Sequence, residues 1–228
     1  MKSIKKYNYC WLLLAVSSVM FTSCYKMQTD YHRDSQPLDP HINKSAWQFI
    51  KDKSYATNAD TLMRYMYDAI VYSEIDTTEY TKTNRTFVLL NNTAVKSVWT
   101  NVKTAANVAG KKWDEYPKEA VRNYLKYLIL DGVYDHYTIP ALEDVTVSTL
   151  APKGYFGGTA SPVGFVIPSF IPNTDSKMKI QVVNSSPSNT SDYPIQLNDV
   201  LNVTTSSILA TNGTLHVINA YLTTNIPQ

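Results

Sequence analysis

"ILATNGTLHVINAYL", Ile208 to Leu222, is the stretch that decides the fold. Two apolar runs flank Asn212-Gly213, a pair suited to a type I′ turn, whose central residues need positive φ. A hairpin is therefore predicted. In its second run Leu215, Val217 and Asn219 alternate with His216, Ile218 and Ala220. Both faces are largely apolar, which predicts an internal strand covered on either side. Buried polar atoms persist when they are paired, so the lone His216 is expected as a hydrogen-bonded core residue, not a ligand or catalyst.

Moving towards the N-terminus, "DVTVSTL" (Asp144 to Leu150), "KMKIQVVN" (Lys177 to Asn184) and "YPIQLNDVLNV" (Tyr193 to Val203) are short Val, Ile, Leu and Thr runs separated by turn formers, and read as strands. The Gly- and Pro-dense segment Ala151 to Pro172 reads as a long loop or edge excursion. Before Gly132 the period changes to helical. Ser45 caps a helix carrying Trp47, Phe49 and Ile50, and Asp60 caps a second whose apolar face is Leu62, Tyr65, Met66, Ala69, Ile70 and Ser73. "RTFVLL", Arg85 to Leu90, is a strand that runs into a helix capped by Asn91 or Asn92, with Val95, Val98, Trp99 and Val102 on one side. A further helix opens at Pro117, buries Val121, Tyr124, Leu125 and Leu128, and ends at Gly132. Helices concentrated in the N-terminal half, with strands after them, give an α+β domain.

The first residues, "MKSIKKYNYCWLLLAVSSVMFTSC", pair Lys2, Lys5 and Lys6 with an apolar stretch from Trp11 to Phe21 and a small-residue exit. That pattern is a secretory signal, shorter than the roughly 20 residues a spanning helix needs. The cysteine after "FTS" resembles a relaxed bacterial lipobox, which implies cleavage before Cys24 and lipid attachment to it. The chain's only cysteines are Cys10 and Cys24. The expected organisation is a lipoprotein signal peptide over 1–23, a flexible tether over 24–43 and one domain over 44–225. Removing three signal lysines leaves 18 basic residues against 19 acidic ones, a formal charge of −1 where the precursor has +2. Nothing in that balance supports a nucleic-acid partner.

The terminal stretch resembles the C-terminal signature of fasciclin (FAS1) domains. Asn212, Gly213, His216, Val217, Ile218 and Leu222 match it, and Asn219 stands where aspartate is usual. Upstream, "TFVLLNNTAVKSV" resembles the family's other block, with Thr86, Phe87 and Asn92 fitting and the usual proline absent. Tyr127 stands for the tyrosine of the family's Tyr-His pair, and Leu128 or Ile129 replaces the histidine. The pair is tied to integrin binding in adhesion proteins of the family, so that activity is not carried over. The resemblance implies a FAS1-like β-sandwich or wedge with helices packed against it.

Chemistry is sparse in the sequence. His32, His41, His136 and His216 lack the spacing of a zinc site, and the proposed mature chain keeps no free thiol. "GYFGG" (Gly154 to Gly158) lacks the lysine of a phosphate loop. Asp114-Glu115 and Glu143-Asp144 read as solvated turns more readily than as catalytic carboxylate pairs. No catalytic residue, metal ligand or cofactor is expected. Trp99, Trp113, Tyr116, Tyr155 and Phe156 are aromatic candidates for contact with a glycan or protein. Trp99 lies on an apolar helix face and is expected inside, so Tyr155 and Phe156, in the Gly-rich loop, are the candidate ligand contacts. "DTL" and "DTT" resemble an O-glycosylation acceptor that would place sugar on Thr61 and Thr77. These readings point to a non-enzymatic, envelope-anchored lipoprotein at the outer membrane, periplasmic or surface-exposed, held by its lipid and binding an extracellular protein or glycan. The alternatives are an accessory subunit of a pilus or outer-membrane uptake complex and, less favoured, a glycan-processing enzyme.

Overall fold

A computed structural model of the chain describes residues 39–55, 61–140, 143–183 and 193–226. Arg85–Leu90 (β1) and Gly213–Ile218 (β8) lie side by side in parallel register, from Arg85 opposite Gly213 to Leu90 opposite Ile218. Every residue from Thr86 to Leu90 and from Thr214 to Ile218 is buried. Continuous apolar runs are what a strand covered on both faces requires. Ile129–Asp131 (β2) pairs antiparallel with β1, and Thr205–Ala210 (β7) with β8, giving a sheet of order β2-β1-β8-β7. A second, wholly antiparallel sheet has the order β3-β4-β5-β6, from Asp144–Ser148, Lys177–Val182, Ile195–Leu197 and Leu201–Asn202.

Among the described residues four α-helices precede most of the strands. They are Ala46–Tyr55 (α1), Arg64–Ser73 (α2), Asn92–Asn101 (α3) and Lys118–Tyr127 (α4). Apolar residues of all four join those of both sheets in one buried cluster, with Ile50, Ile70, Val98, Tyr124, Leu89 and Ile180 among its members. The fold is α+β, with two sheets and its helices in the N-terminal half. Pro40–Gln228 form one compact unit.

Several boundaries differ from those read in the sequence. The second helix starts at Arg64, and Leu62 stays 45% exposed while Met63 is buried. Its N-terminus is satisfied from outside: Asn92 Oδ1 accepts from Tyr65 N (3.0 Å) and Asn92 Nδ2 donates to the Thr61 carbonyl (2.6 Å). Asp60, the expected cap, lies outside the described residues. Asn92 thus serves α2, and Asn91 caps its own helix by accepting from Ala94 N (2.9 Å). The last helix ends at Tyr127, because β1 has a free edge that Ile129–Asp131 fills; Gly132, at φ +114°, follows that strand. "YPIQLNDVLNV" folds as two strands around Asn198 and Asp199, at φ +49° and +56°. Asn and Asp are the side chains that tolerate this left-handed region.

The Asn212-Gly213 turn is also displaced by one residue. Ala210 pairs with Gly213, so Thr211 and Asn212 form the loop, and neither has positive φ. The turn is not type I′. Gly213 is required for another reason: a Cβ there would overlap the Arg85 carbonyl oxygen of the neighbouring parallel strand. Residues 40–44, the end of the expected tether and its junction with the domain, lie along β7. Leu209 N donates to Pro40 O (2.9 Å), Ile42 N to Leu209 O (3.0 Å) and Thr211 N to Lys44 O (3.0 Å). An open strand edge leaves donors and acceptors to be met, and this segment meets them.

Candidate functional site

The residues of the C-terminal signature form a scaffold. Asn212 is buried, and its Oδ1 accepts from Ala46 N at the start of α1 (2.9 Å). Its Nδ2 donates to the carbonyls of Tyr80 (3.0 Å) and Lys82 (3.1 Å). One side chain thereby joins the hairpin, the first helix and the 3-10 helix Thr77–Tyr80. His216 is fully buried; Nε2 lies 2.8 Å from Tyr134 O, and Nδ1 accepts from Ser207 N at 3.2 Å. That pairing holds a neutral ring with the proton on Nε2. Burial lowers its pKa from 6.5 to about 4, partly offset by the Tyr134 carbonyl. Val217 and Ile218 are core, and the Ile218 carbonyl accepts from Asn91 N (3.1 Å) at the start of α3. The carbonyl of buried Leu222 accepts from Tyr124 Oη (3.0 Å). Tyr127, also buried, donates to Lys177 O (3.0 Å) and accepts from Asn198 Nδ2 (2.8 Å), fastening α4 to the second sheet.

The loop after β3 does not present the expected aromatic pair. Phe156 is fully buried, 5.8 Å from the Tyr127 ring and 5.0 Å from the half-buried Tyr155. Asn173 N donates to Phe156 O (2.7 Å) and Gly154 N to Thr174 O (2.7 Å), so the loop folds back on itself and turns Phe156 into an anchor. The glycines permit that close return. Phe156 is therefore withdrawn as a ligand contact. Thr61 and Thr77 are both exposed. Thr77 begins the 3-10 helix whose cap, Asp76, accepts from Thr78 N (2.9 Å). Cys24 lies outside the described residues.

Three of the four acidic neighbours are tied down individually. Asp114 meets Lys112 Nζ (2.8 Å), Glu115 accepts from Lys111 N (3.0 Å), and Asp144 meets Lys179 Nζ (3.0 Å). The Lys179 ammonium holds the Asp144 carboxyl below its ordinary value. Among the described residues no cluster of three or more His, Cys, Asp or Glu could hold a metal ion, and no helix is long and apolar enough to cross a membrane.

What the fold does assemble is an aromatic cleft of about 330 Å³ between α2, the C-terminal part of α3 and the 3-10 helix Trp113–Glu115. Tyr65 and Tyr72 enter from α2 at helical spacing, and Trp99 from α3. Trp99 is half-buried, not internal, with its ring 5.2 Å from Tyr65 and 5.6 Å edge-on to Trp113. Trp113 forms the floor: it is buried, and its Nε1 donates to Tyr65 O (2.8 Å). Tyr72 Oη donates to the Tyr116 carbonyl (2.7 Å). Behind them Tyr116 is buried, its phenol bonded to Val102 O (2.7 Å) and pushed up to about 12 by burial. Gly110 leaves room for that ring, since a Cβ there would collide with it.

The rim is polar. Asp68 accepts from Tyr55 Oη (2.8 Å), Lys111 and the Lys112–Asp114 pair line the opposite side, and Lys96 stands over the Tyr65 ring at 5.8 Å. A concave, mostly apolar surface with a few converging polar groups is the usual form of a small-ligand site. Sequence reasoning named Trp99 and Trp113 but missed Tyr65 and Tyr72. The signal was the placement of Tyr65, Asp68 and Tyr72 on one side of α2.

No family profile matches the sequence, and no curated relative does. Among solved structures, the chain is similar to a FAS1 domain pair from the insect cell adhesion molecule Fasciclin I. The identity is 16% and the TM-score 0.45, over 71% of this chain and 45% of that one, so the chain spans less than half of the solved pair.

Proposed function

We propose that this chain is an envelope-anchored, non-enzymatic binding module that acts in adhesion by holding a protein or glycan ligand in the aromatic cleft. The observation that carries the reading is the wall of Tyr65, Tyr72 and Trp99, three half-buried rings around one concavity with a polar rim. Aromatic side chains with a polar handle give large contact area at little entropic cost, which favours them at recognition surfaces. Hydrogen bonds from Trp113 and Tyr72 to backbone carbonyls fix the wall before any ligand arrives, and preorganisation lowers the cost of binding. Anchoring through lipid on Cys24 places the module at the outer membrane, facing the periplasm or the exterior.

Tyr72→Ala tests the cleft. In the intact chain it is expected to weaken binding to immobilised envelope glycans or proteins by about tenfold while leaving the circular dichroism spectrum unchanged. Binding indifferent to Tyr72→Ala and to Tyr65→Ala would remove the cleft from the function. Cys24→Ser is expected to abolish incorporation of labelled palmitate and release the chain from membranes; retained lipid in that variant would refute the anchor.

A further inference from the structure

We infer that the ligand of the aromatic cleft is an uncharged oligosaccharide. The C–H face of a pyranose rests on Tyr65, Tyr72 and Trp99, and its hydroxyls divide between the carboxylates and ammonium groups of the rim. The inference rests on reading the cleft as the binding site and adds the chemistry of the occupant.

The charges of the lining cancel. Lys111 and Lys112 stand against Asp68 and Asp114, and Lys112 is joined to Asp114 at 2.8 Å. Just outside, Lys96 over the Tyr65 ring and Glu115, whose Oε2 accepts from Lys111 N, add one charge of each sign. Such a rim draws in neither an anion nor a cation, and a charged substituent would lose water beside a group of its own sign. A hydroxyl both donates and accepts. It can give its hydrogen to Asp68 or Asp114 and take one from Lys111, so a polyol uses every group of a balanced rim. The carboxylates keep acceptor capacity for it. Asp68 takes Tyr55 Oη through Oδ1 and Asp114 takes Lys112 Nζ through Oδ2, out of about four lone-pair sites on each.

The main chain around the wall is already engaged. The Tyr65 carbonyl accepts from Trp113 Nε1 (2.8 Å), the Trp99 carbonyl from Gly110 N (2.8 Å), and Lys111 N–H donates to Glu115 (3.0 Å). A polypeptide laid here finds no backbone ladder to join, whereas a sugar needs only rings and side-chain tips. The rings are also tilted, with Trp99 at 47° to Tyr65 and at 71° to Trp113. Coplanar rings would suit the flat face of a packed polysaccharide. A folded cradle of about 330 Å³, near the lower end of the usual range of about 300–1,000 Å³, suits a short stretch of one soluble chain.

The test is calorimetric titration of the intact chain in detergent micelles, with intrinsic tryptophan fluorescence as a second readout. The probes are neutral cellohexaose, neutral N-acetylated chitohexaose, the cationic deacetylated form of the latter, and anionic hexagalacturonate. At least one neutral probe is expected to bind about tenfold or more tighter than both charged ones. Raising salt from 0.1 to 1 M shortens the screening length from about 10 to about 3 Å and is expected to leave that affinity within about twofold. Asp68→Ala and Lys111→Ala, the second at an exposed position, are each expected to weaken it about tenfold at an unchanged melting temperature. A charged probe that binds as tightly as the neutral ones, and is lost in Tyr72→Ala, overturns the uncharged ligand and leaves the cleft standing. Neutral binding that survives Asp68→Ala and Lys111→Ala but not Tyr72→Ala overturns the rim's part in it, again with the cleft intact. Neutral binding that ignores all three variants overturns the inference and the cleft together. Binding of none of the four probes overturns the carbohydrate assignment, while retained, Tyr72-dependent capture of an envelope protein keeps the cleft.

Discussion

Acidification provides a direct test of how the C-terminal hairpin is buried. His216 is fully enclosed, its Nδ1 accepting from Ser207 N–H and its Nε2–H directed at the Tyr134 carbonyl. A second ring proton would point Nδ1–H at another N–H, inside a medium that disfavours charge. Burial is the main cause of the lowered pKa, His136 nearby adds to it, and Asp135 works against it. In the unfolded chain the ring titrates near 6.5, in the folded one near 4. Above 6.5 the ring is neutral in both states and contributes no pH dependence. Between 6.5 and 4 only the unfolded chain takes up the proton, so stability falls as pH falls. The loss is about 2 kcal/mol at pH 5 and about 3 kcal/mol at pH 4. Below 4 both states are charged and the slope vanishes. Urea melts from pH 7.5 to 4 on wild type and His216→Gln measure this. The variant is expected to be about 2–3 kcal/mol less stable at neutral pH, from packing and lost hydrogen bonds. The gap should shrink by about 2 kcal/mol at pH 5, because only wild type carries the titrating group while the carboxylates cancel. Parallel curves for the two proteins, or a His216 resonance titrating near 6.5, would refute the reasoning.

Asn212→Ala removes an acceptor for Ala46 N and a donor to two carbonyls at a buried position, and should lower stability by about 3 kcal/mol in a denaturant melt. Gly213→Ala drives a methyl into the Arg85 carbonyl and should cost more than about 3 kcal/mol, with slower hydrogen exchange in β1 and β8 lost first. Phe156→Ala should cost about 3–5 kcal/mol and Tyr155→Ala less, measured by thermal melts, since only the first is fully buried. Equal effects for the two would contradict the folded-back loop.

Where a local pattern was reinforced by its tertiary surroundings, the sequence was legible. "RTFVLL" became β1 residue for residue, because an unbroken apolar run has no exposed face to offer. The order of helices before strands, and the burial of His216, followed from period and composition in the same way. Where a partner distant in sequence supplied the hydrogen bonds, local signals misled. The start of α2 depends on Asn92, and β2 exists because β1 has an open edge to fill. Asn212-Gly213 carries the composition of a tight turn, yet these two residues act through a long-range clamp and a close strand approach. The cleft was only partly legible. Trp99 is on an apolar face, which in isolation says interior; that Tyr65 and Trp113 pack against it without covering it depends on how α2 and α3 meet. Phe156 failed in the opposite sense: Gly-rich surroundings suggested exposure, but they let the chain double back and swallow the ring.

The parallel pairing of β1 with β8 has a consequence for how the protein is made. As the chain leaves the ribosome, residues 85–90 emerge long before residues 213–218, so the middle of the first sheet stays vacant until the latter have emerged. Contacts this distant in sequence are slow to form. Until then the unpaired β1 edge is a natural station for a holding chaperone.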